Sequence, residues 1–124
     1  MDFSLGTDLI EVKRIKKALR RWGDRFLNRI FTRDEIKYCK RKKSPEISLA
    51  ARFAAKEAAM KALGTGLSGG VSWKDFEVVS GPRGRPEMKL SQNIEKRLKN
   101  GKMLVTLTHT QEHAMAVALL VEAE

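Results

Sequence analysis

Apolar positions follow helical spacing in the first half of the chain and alternate at period two towards its end. Asp2 to Ile10 opens as a short strand-like segment. Glu11 to Trp22 predicts a helix with Ile15, Ala18, Leu19 and Trp22 as its apolar stripe. Gly23 ends it, and Asp24 suits the cap of a short helix with Phe26, Leu27, Ile30 and Phe31 inside. Thr32-Arg-Asp-Glu35 is a capping box for a third helix through Ile36 and Cys39. Ser44 as cap, Pro45 at the first position and Gly64 as left-handed exit predict an alanine-rich helix from about Pro45 to Leu63. After a glycine-rich turn, Thr65 to Gly70, strands are expected at Trp73 to Val79 and Glu87 to Leu90, around the turn Gly81 to Pro86. Ser91 caps a helix to about Lys99, and Met103 to Thr110 and Ala114 to Val121 predict two more strands joined by a tight turn. There is no repeat, linker or low-complexity segment. The prediction is one α+β domain over residues 1–124: a helical N-terminal half and a small, mostly antiparallel sheet packed on the long central helix.

Composition narrows the class. A chain of 124 residues, 42% hydrophobic and 32% charged, is long enough for a real core. No apolar run approaches the ~20 residues that span a bilayer, and the N-terminus lacks the basic and apolar segments of a signal peptide. Cys39 is the sole cysteine, so no internal disulfide is possible; a cytoplasmic location and no membrane partner are expected. The net charge of +10 is uneven. Glu11 to Lys43 holds 14 Lys or Arg against 4 Asp or Glu, and the remainder is balanced. Such a stretch implies an acidic partner: nucleic acid, an anionic membrane surface, a phosphorylated ligand or an acidic protein. On the first helix Lys13, Arg14, Lys16, Lys17, Arg20 and Arg21 have almost no acid among them. They form either a solvated face or, because like charges at i, i+4 repel, a docking surface. Taken alone, Lys40-Arg-Lys-Lys43 reads as a solvated loop.

Candidate chemistry lies on the central helix. Phe53, Glu57 and Lys61 share one face with Ala50, Met60 and Gly64, so that face is expected to be buried. Glu57 and Lys61 are then either a helical surface pair, or a metal ligand and an anion contact. Asp8 is out of character in a strand and reads as a turn or capping residue or as a metal ligand. His109 ends the face begun by Val105 and Leu107; it is either structural or, with Thr108 and Thr110, the edge of an anion or nucleotide site. No Ser-His-Asp, Cys–His or His-rich motif appears, and the Thr65 to Gly70 turn lacks the ending of a phosphate loop. Two carboxylates without histidine or cysteine partners suit a hard cation such as magnesium. With lysine and arginine nearby, the fitting chemistry is phosphoryl-type transfer.

Three segments carry a family likeness. Gly6-Thr-Asp8-Leu-Ile-Glu-Val-Lys-Arg-Ile15, Arg52-Phe-Ala-Ala-Lys-Glu-Ala-Ala-Met-Lys-Ala-Leu-Gly-Thr-Gly66 and Val105-Thr-Leu-Thr-His-Thr110 resemble the holo-acyl-carrier-protein synthases. These are the small bacterial type of 4′-phosphopantetheinyl transferase. The likeness covers nearly the whole chain in order. Gly84-Arg-Pro86 matches too, while His113 stands where relatives often have tyrosine. The resemblance implies transfer of the 4′-phosphopantetheine arm from coenzyme A to a serine of apo acyl carrier protein, in support of fatty acid biosynthesis. It implies Mg²⁺ on Asp8 and Glu57, phosphate contact by Lys61, and Glu57 or a water in the metal shell as general base. It implies coenzyme A contacts at Arg52, Gly84, Pro86, His109 and Thr110. It further implies carrier-protein docking at Arg14, with Arg20 and Arg21 on the same helix, and a homotrimer with sites at subunit interfaces. A nucleic-acid-binding module, or a basic protein that simply docks an acidic partner, would explain the charge but not Asp8 or the Glu57/Lys61 face. Aromatic residues are only 6% and no nucleic-acid motif appears, so no nucleic acid is expected as partner.

Overall fold

The computed structural model describes residues 2–123. Strand β1 (Asp2–Glu11) runs directly into helix α1 (Val12–Trp22), followed by α2 (Asp24–Ile30), α3 (Arg33–Lys40) and the central α4 (Pro45–Leu63). A 3₁₀ turn, Trp73–Asp75, leads into β2 (Phe76–Ser80); β3 (Pro86–Leu90), α5 (Gln92–Glu95), β4 (Lys102–His109) and β5 (His113–Glu122) follow. The expected α+β architecture is present. The sheet is divided: β1, β5 and β4 form an antiparallel three-stranded sheet in that order, and β2–β3 form a separate antiparallel hairpin.

Local chemistry explains most boundaries. Thr32 and Glu35 form the reciprocal capping box of α3, and Pro45 and Gly64 bound α4, with Gly64 left-handed at φ 89°. Four sequence expectations change. The Ser44 side chain makes no capping hydrogen bond. Asp24 is the first residue of α2 rather than its cap, because Gly23, at φ 54°, takes the cap position. The helix after Ser91 stops at Glu95, not near Lys99. Beyond it, Arg97 and Leu98 donate to carbonyls only three residues back, and the Lys99 amide turns to the Glu122 carboxylate. Trp73 lies in the 3₁₀ turn rather than in a strand, since Ser72 and Asp75 cap that turn reciprocally.

Helix α4 packs against the three-stranded sheet and also against α1, α3 and β2. It is therefore buried almost all round, which its alanine content allows. Ala54, Ala55, Ala58 and Ala59 of α4, and Ala114, Ala116 and Ala118 of β5, which packs on that helix, are all buried. Small side chains on both surfaces bring helix and sheet close. The limit is Gly6 of β1, where an added Cβ would stand 1.9 Å from the Ala58 carbonyl oxygen.

A buried ion pair ties the hairpin to this core. Lys56 Nζ lies 2.7 Å from Glu35 Oε1, and both side chains are wholly buried. Lys56 also donates to the carbonyls of Trp73 and Phe76, while Glu35 accepts from the amides of Thr32 and Val78. Every donor of the ammonium has a partner, the condition under which a buried charge is tolerated. Burial pushes the Lys56 pKa down, and Glu35 opposes that. The other face of the three-stranded sheet is uncovered. Leu5 and Leu9 are 70% and 65% exposed, with Phe3, Leu104 and Met115 beside them. Leu5, Leu119 and Leu104 form one row across the sheet. No helix among the described residues is long and apolar enough to cross a membrane.

Candidate active site

Asp8 lies within β1, opposite Ala116 on the helix-facing side, rather than in a turn or cap. Its carboxylate is 17% exposed and accepts from Lys61 Nζ at 3.2 Å. The same ammonium donates to the Thr7 carbonyl at 3.0 Å. Glu57 is half-buried on α4. Burial raises its carboxyl pKa, and the negative charge of Asp8 raises it further; Lys61 and Arg14 act against the rise. Asp8, Glu57, Lys61 and Arg14 thus sense one another at the β1–α4 edge. The surface-pair reading of the helix is corrected: Lys61 pairs with Asp8 on the strand, not with Glu57. The face expected to be buried is so only in part. Ala50 and Met60 are enclosed, Phe53 and Glu57 half-buried, and Lys61 and Gly64 exposed.

A second constellation lies elsewhere on α4. At about 100° per residue, Arg52 points about 140° around the helix from Glu57. It lines a groove of about 550 Å³ with Tyr38, Lys42, Gly84, Pro86 and His109. Asp8, Glu57 and Lys61 are not among the lining residues. Arg52 is only 7% exposed. Its Nη1 donates to Ser48 Oγ at 3.3 Å, and its Nε has no partner. Gly84 sits at φ 72°, a conformation that favours glycine, at the turn that brings Pro86 to the groove. Thr110 is not among the lining residues; its hydroxyl accepts from the amides of Glu112 and His113 and shapes the β4–β5 turn. His109 ends β4 exposed, at the groove. Four of the five expected coenzyme A contacts therefore share one cavity.

Three features were not read from the sequence. Lys42 belongs to the tetrad read as a solvated loop, yet it borders the groove and lies 4.5 Å from the Tyr38 ring centre. Tyr38 itself carries no sequence signal beyond its cationic neighbours. Ser80 and Lys42 at the phenol are the main causes that lower its pKa to about 8. Cys39 is buried and accepts from Ser48 Oγ at 3.2 Å, and burial raises its thiol pKa, which makes it an inert core residue. On α1, Arg14, Arg20 and Arg21 are all exposed, and Arg21 lies 5.0 Å over the Trp22 ring.

No group of three or more His, Cys, Asp or Glu side chains converges among the described residues. Asp8 and Glu57 are thus a two-carboxylate oxygen set. That suits magnesium, which takes one or two carboxylates and completes its shell with water and phosphate oxygens. Their mutual repulsion is the kind a divalent cation relieves.

Known proteins resemble the chain along its length. The model of the 4′-phosphopantetheinyl transferase superfamily matches residues 4–118. A holo-[acyl-carrier-protein] synthase from Protochlamydia amoebophila is 42% identical over 119 residues, covering 96% of this chain and 98% of the relative. The solved synthase from Bacillus anthracis, in complex with CoA (3′,5′-ADP), superposes with a TM-score of 0.81 at 35% identity, covering 97% of this chain and 96% of that one. The synthase from Helicobacter pylori in complex with coenzyme A gives 0.83 at 29% identity, covering 94% and 99%.

Proposed function

The chain belongs to the 4′-phosphopantetheinyl transferase superfamily, and we propose that it moves the 4′-phosphopantetheine arm of coenzyme A onto a serine of apo acyl carrier protein. Adenosine 3′,5′-bisphosphate leaves. The observation that carries this reading is the meeting of Asp8, Glu57 and Lys61 at one edge, although Asp8 and Lys61 lie 53 positions apart in the chain. Asp8 and Glu57 would hold a magnesium ion, which when bound supplies positive charge to the pyrophosphate oxygens. Lys61 adds a cation beside the same carboxylate and stabilises charge growing on phosphate in the transition state. Glu57, or a water in the metal shell, would receive the serine proton. Arg52, with an unpartnered Nε in the groove, and His109 would bind the nucleotide at its 3′-phosphate.

Arg14, Arg20 and Arg21 are an exposed basic surface for an acidic carrier protein. Arg14 also acts on Glu57, so a partner docked on α1 would bring its serine near the carboxylates. The uncovered apolar sheet face supports self-association, because exposed patches of this kind mark association surfaces, and the family resemblance implies that the assembly is a homotrimer. The separation of the Asp8/Glu57 edge from the Arg52 groove supports sites completed by a neighbouring copy. The enzyme would work in the cytoplasm and support fatty acid biosynthesis. The test is intact-mass measurement of apo acyl carrier protein after incubation with the purified protein, coenzyme A and magnesium. A gain of one phosphopantetheine group is expected, and an unchanged mass would sink the proposal.

A further inference from the structure

Three cations converge on one ring, and Asp34, which lines the neighbouring cavity with Tyr38, Arg41 and Arg52, forms an ion pair with none of them. Arg52 Cζ lies 4.0 Å from the centre of the Tyr38 ring, Lys42 Nζ 4.5 Å and Arg41 Cζ 6.0 Å. Among the described residues, no carboxylate forms an ion pair with any of them. Burying a cation such as Arg52 is costly unless something compensates. Ser48 supplies one hydrogen bond and Nε none. The remaining contact is Tyr38, whose π face attracts a guanidinium within about 6 Å and whose hydroxyl also hydrogen-bonds to Arg52.

The choice of a ring has a chemical consequence. A carboxylate at this point would hold Arg52 equally well, but it would neutralise the cation and repel an incoming phosphate. An aromatic face fixes the guanidinium and leaves its charge and free donors to the groove. Lys42 rests on the same ring and lines the same groove.

We propose that Tyr38 is a positioning residue for phosphate-monoester recognition: its ring holds Arg52, with Lys42 beside it, charged and aimed at the groove. This rests on the reading that the groove takes the nucleotide end of coenzyme A. The ligand feature recognised is the ribose 3′-phosphate, whose double negative charge answers the cluster.

The test is calorimetric titration of the wild-type protein, Tyr38→Phe and Tyr38→Leu with adenosine 3′,5′-bisphosphate and with adenosine 5′-monophosphate. The wild type should prefer the bisphosphate. Tyr38→Leu should lose about tenfold in bisphosphate affinity, the scale of a partly desolvated cation–π contact, with monophosphate affinity unchanged. Tyr38→Phe, which keeps the ring, should retain most of the preference. In the transfer assay Tyr38→Leu should raise KM for coenzyme A at constant kcat and leave KM for 3′-dephospho-coenzyme A alone. Tyr38→Glu is the second variant should Tyr38→Leu not fold; by giving Arg52 a carboxylate it should abolish the preference. Unchanged bisphosphate affinity in the variant read, or an equal loss for both nucleotides, overturns the role of Tyr38 while wild-type transfer stands. Failure of the wild type to bind either nucleotide overturns the groove assignment, and this role with it.

Discussion

Gly6→Ala tests how β1 and α4 hold the carboxylate edge together. The added methyl would stand 1.9 Å from the Ala58 carbonyl oxygen, 2.7 Å from the Ala62 amide nitrogen and 3.0 Å from the Ala58 carbonyl carbon. All three are backbone atoms of one helix, so no rotamer change makes room. Relieving the shortest contact requires strand and helix to part by about 1 Å. Overpacking of this kind costs about 1–3 kcal/mol, and 2 kcal/mol in a domain of this size lowers Tm by roughly 6–12 °C. The functional loss should be larger. Asp8 lies two residues beyond Gly6, and Glu57 directly precedes Ala58, so the same separation spreads the pair. A displacement of about 1 Å at reacting groups can cost ~100-fold in rate. The assay pairs a calorimetric Tm with turnover, measured well below the melting range of both proteins. A variant with wild-type Tm and wild-type turnover would refute the close-contact argument. Lowered Tm with unchanged turnover would separate the contact from the site.

Lys56→Ala leaves Glu35 buried without its ion-pair partner and should cost about 3–5 kcal/mol in urea unfolding; a loss below ~1 kcal/mol would mean that the pair is replaceable. Arg14→Glu should raise KM for the carrier protein and spare coenzyme A, and wild-type transfer at subsaturating carrier protein should slow as salt rises; an unchanged carrier-protein KM at low salt removes α1 as the dock. Tyr38 should impose a pH limit on coenzyme A binding. Ser80 of β2, Lys42 and Arg41 after α3, and Arg52 of α4 surround its phenol, with Asp34 and Lys37 of its own helix bordering the next cavity. The phenol is neutral below its lowered pKa of about 8; above it the phenolate neutralises the cations and repels phosphate. KM for coenzyme A should therefore rise as pH climbs through about 8, and a rise of the same size in Tyr38→Phe would count against this origin.

Capping and patterning made the long elements legible. Pro45 and Gly64 bound α4 as read, and Thr32 and Glu35 close the α3 box because both halves lie within one turn. The end of α5 was not legible. It depends on Glu122, more than twenty residues away, drawing off the Lys99 amide. Asp8, Glu57 and Lys61 stood out as charges in apolar settings, but their pairing did not: spacing along a helix favours Glu57–Lys61, whereas the fold offers Lys61 a carboxylate on β1. Lys56 lies inside the Arg52–Gly66 segment, next to Glu57, and spacing gave it no role; only the approach of α3 and β2 reveals why it is buried. Tyr38 and Lys42 were hidden for the same reason, since the groove joins α3, α4, the hairpin and the end of β4. Uncovered leucines on β1 alternate like any strand, and only the sheet register gathers Leu5, Leu119 and Leu104 into a row.

The most direct test of a transferase site shared between copies is subunit complementation. Asp8→Ala lacks one carboxylate of the metal edge, and Arg52→Ala lacks the groove cation. Alone, Asp8→Ala should fall more than about 100-fold in transfer, and Arg52→Ala should be inactive at low coenzyme A. The two variants are refolded together and assayed by the mass of the carrier protein formed. If a site takes Asp8 from one copy and Arg52 from its neighbour, about one interface in four of a random mixture is intact, and up to about a quarter of wild-type activity returns. Activity that stays at the level of the separate variants, in a mixture shown to have exchanged subunits, would contradict a site built between copies.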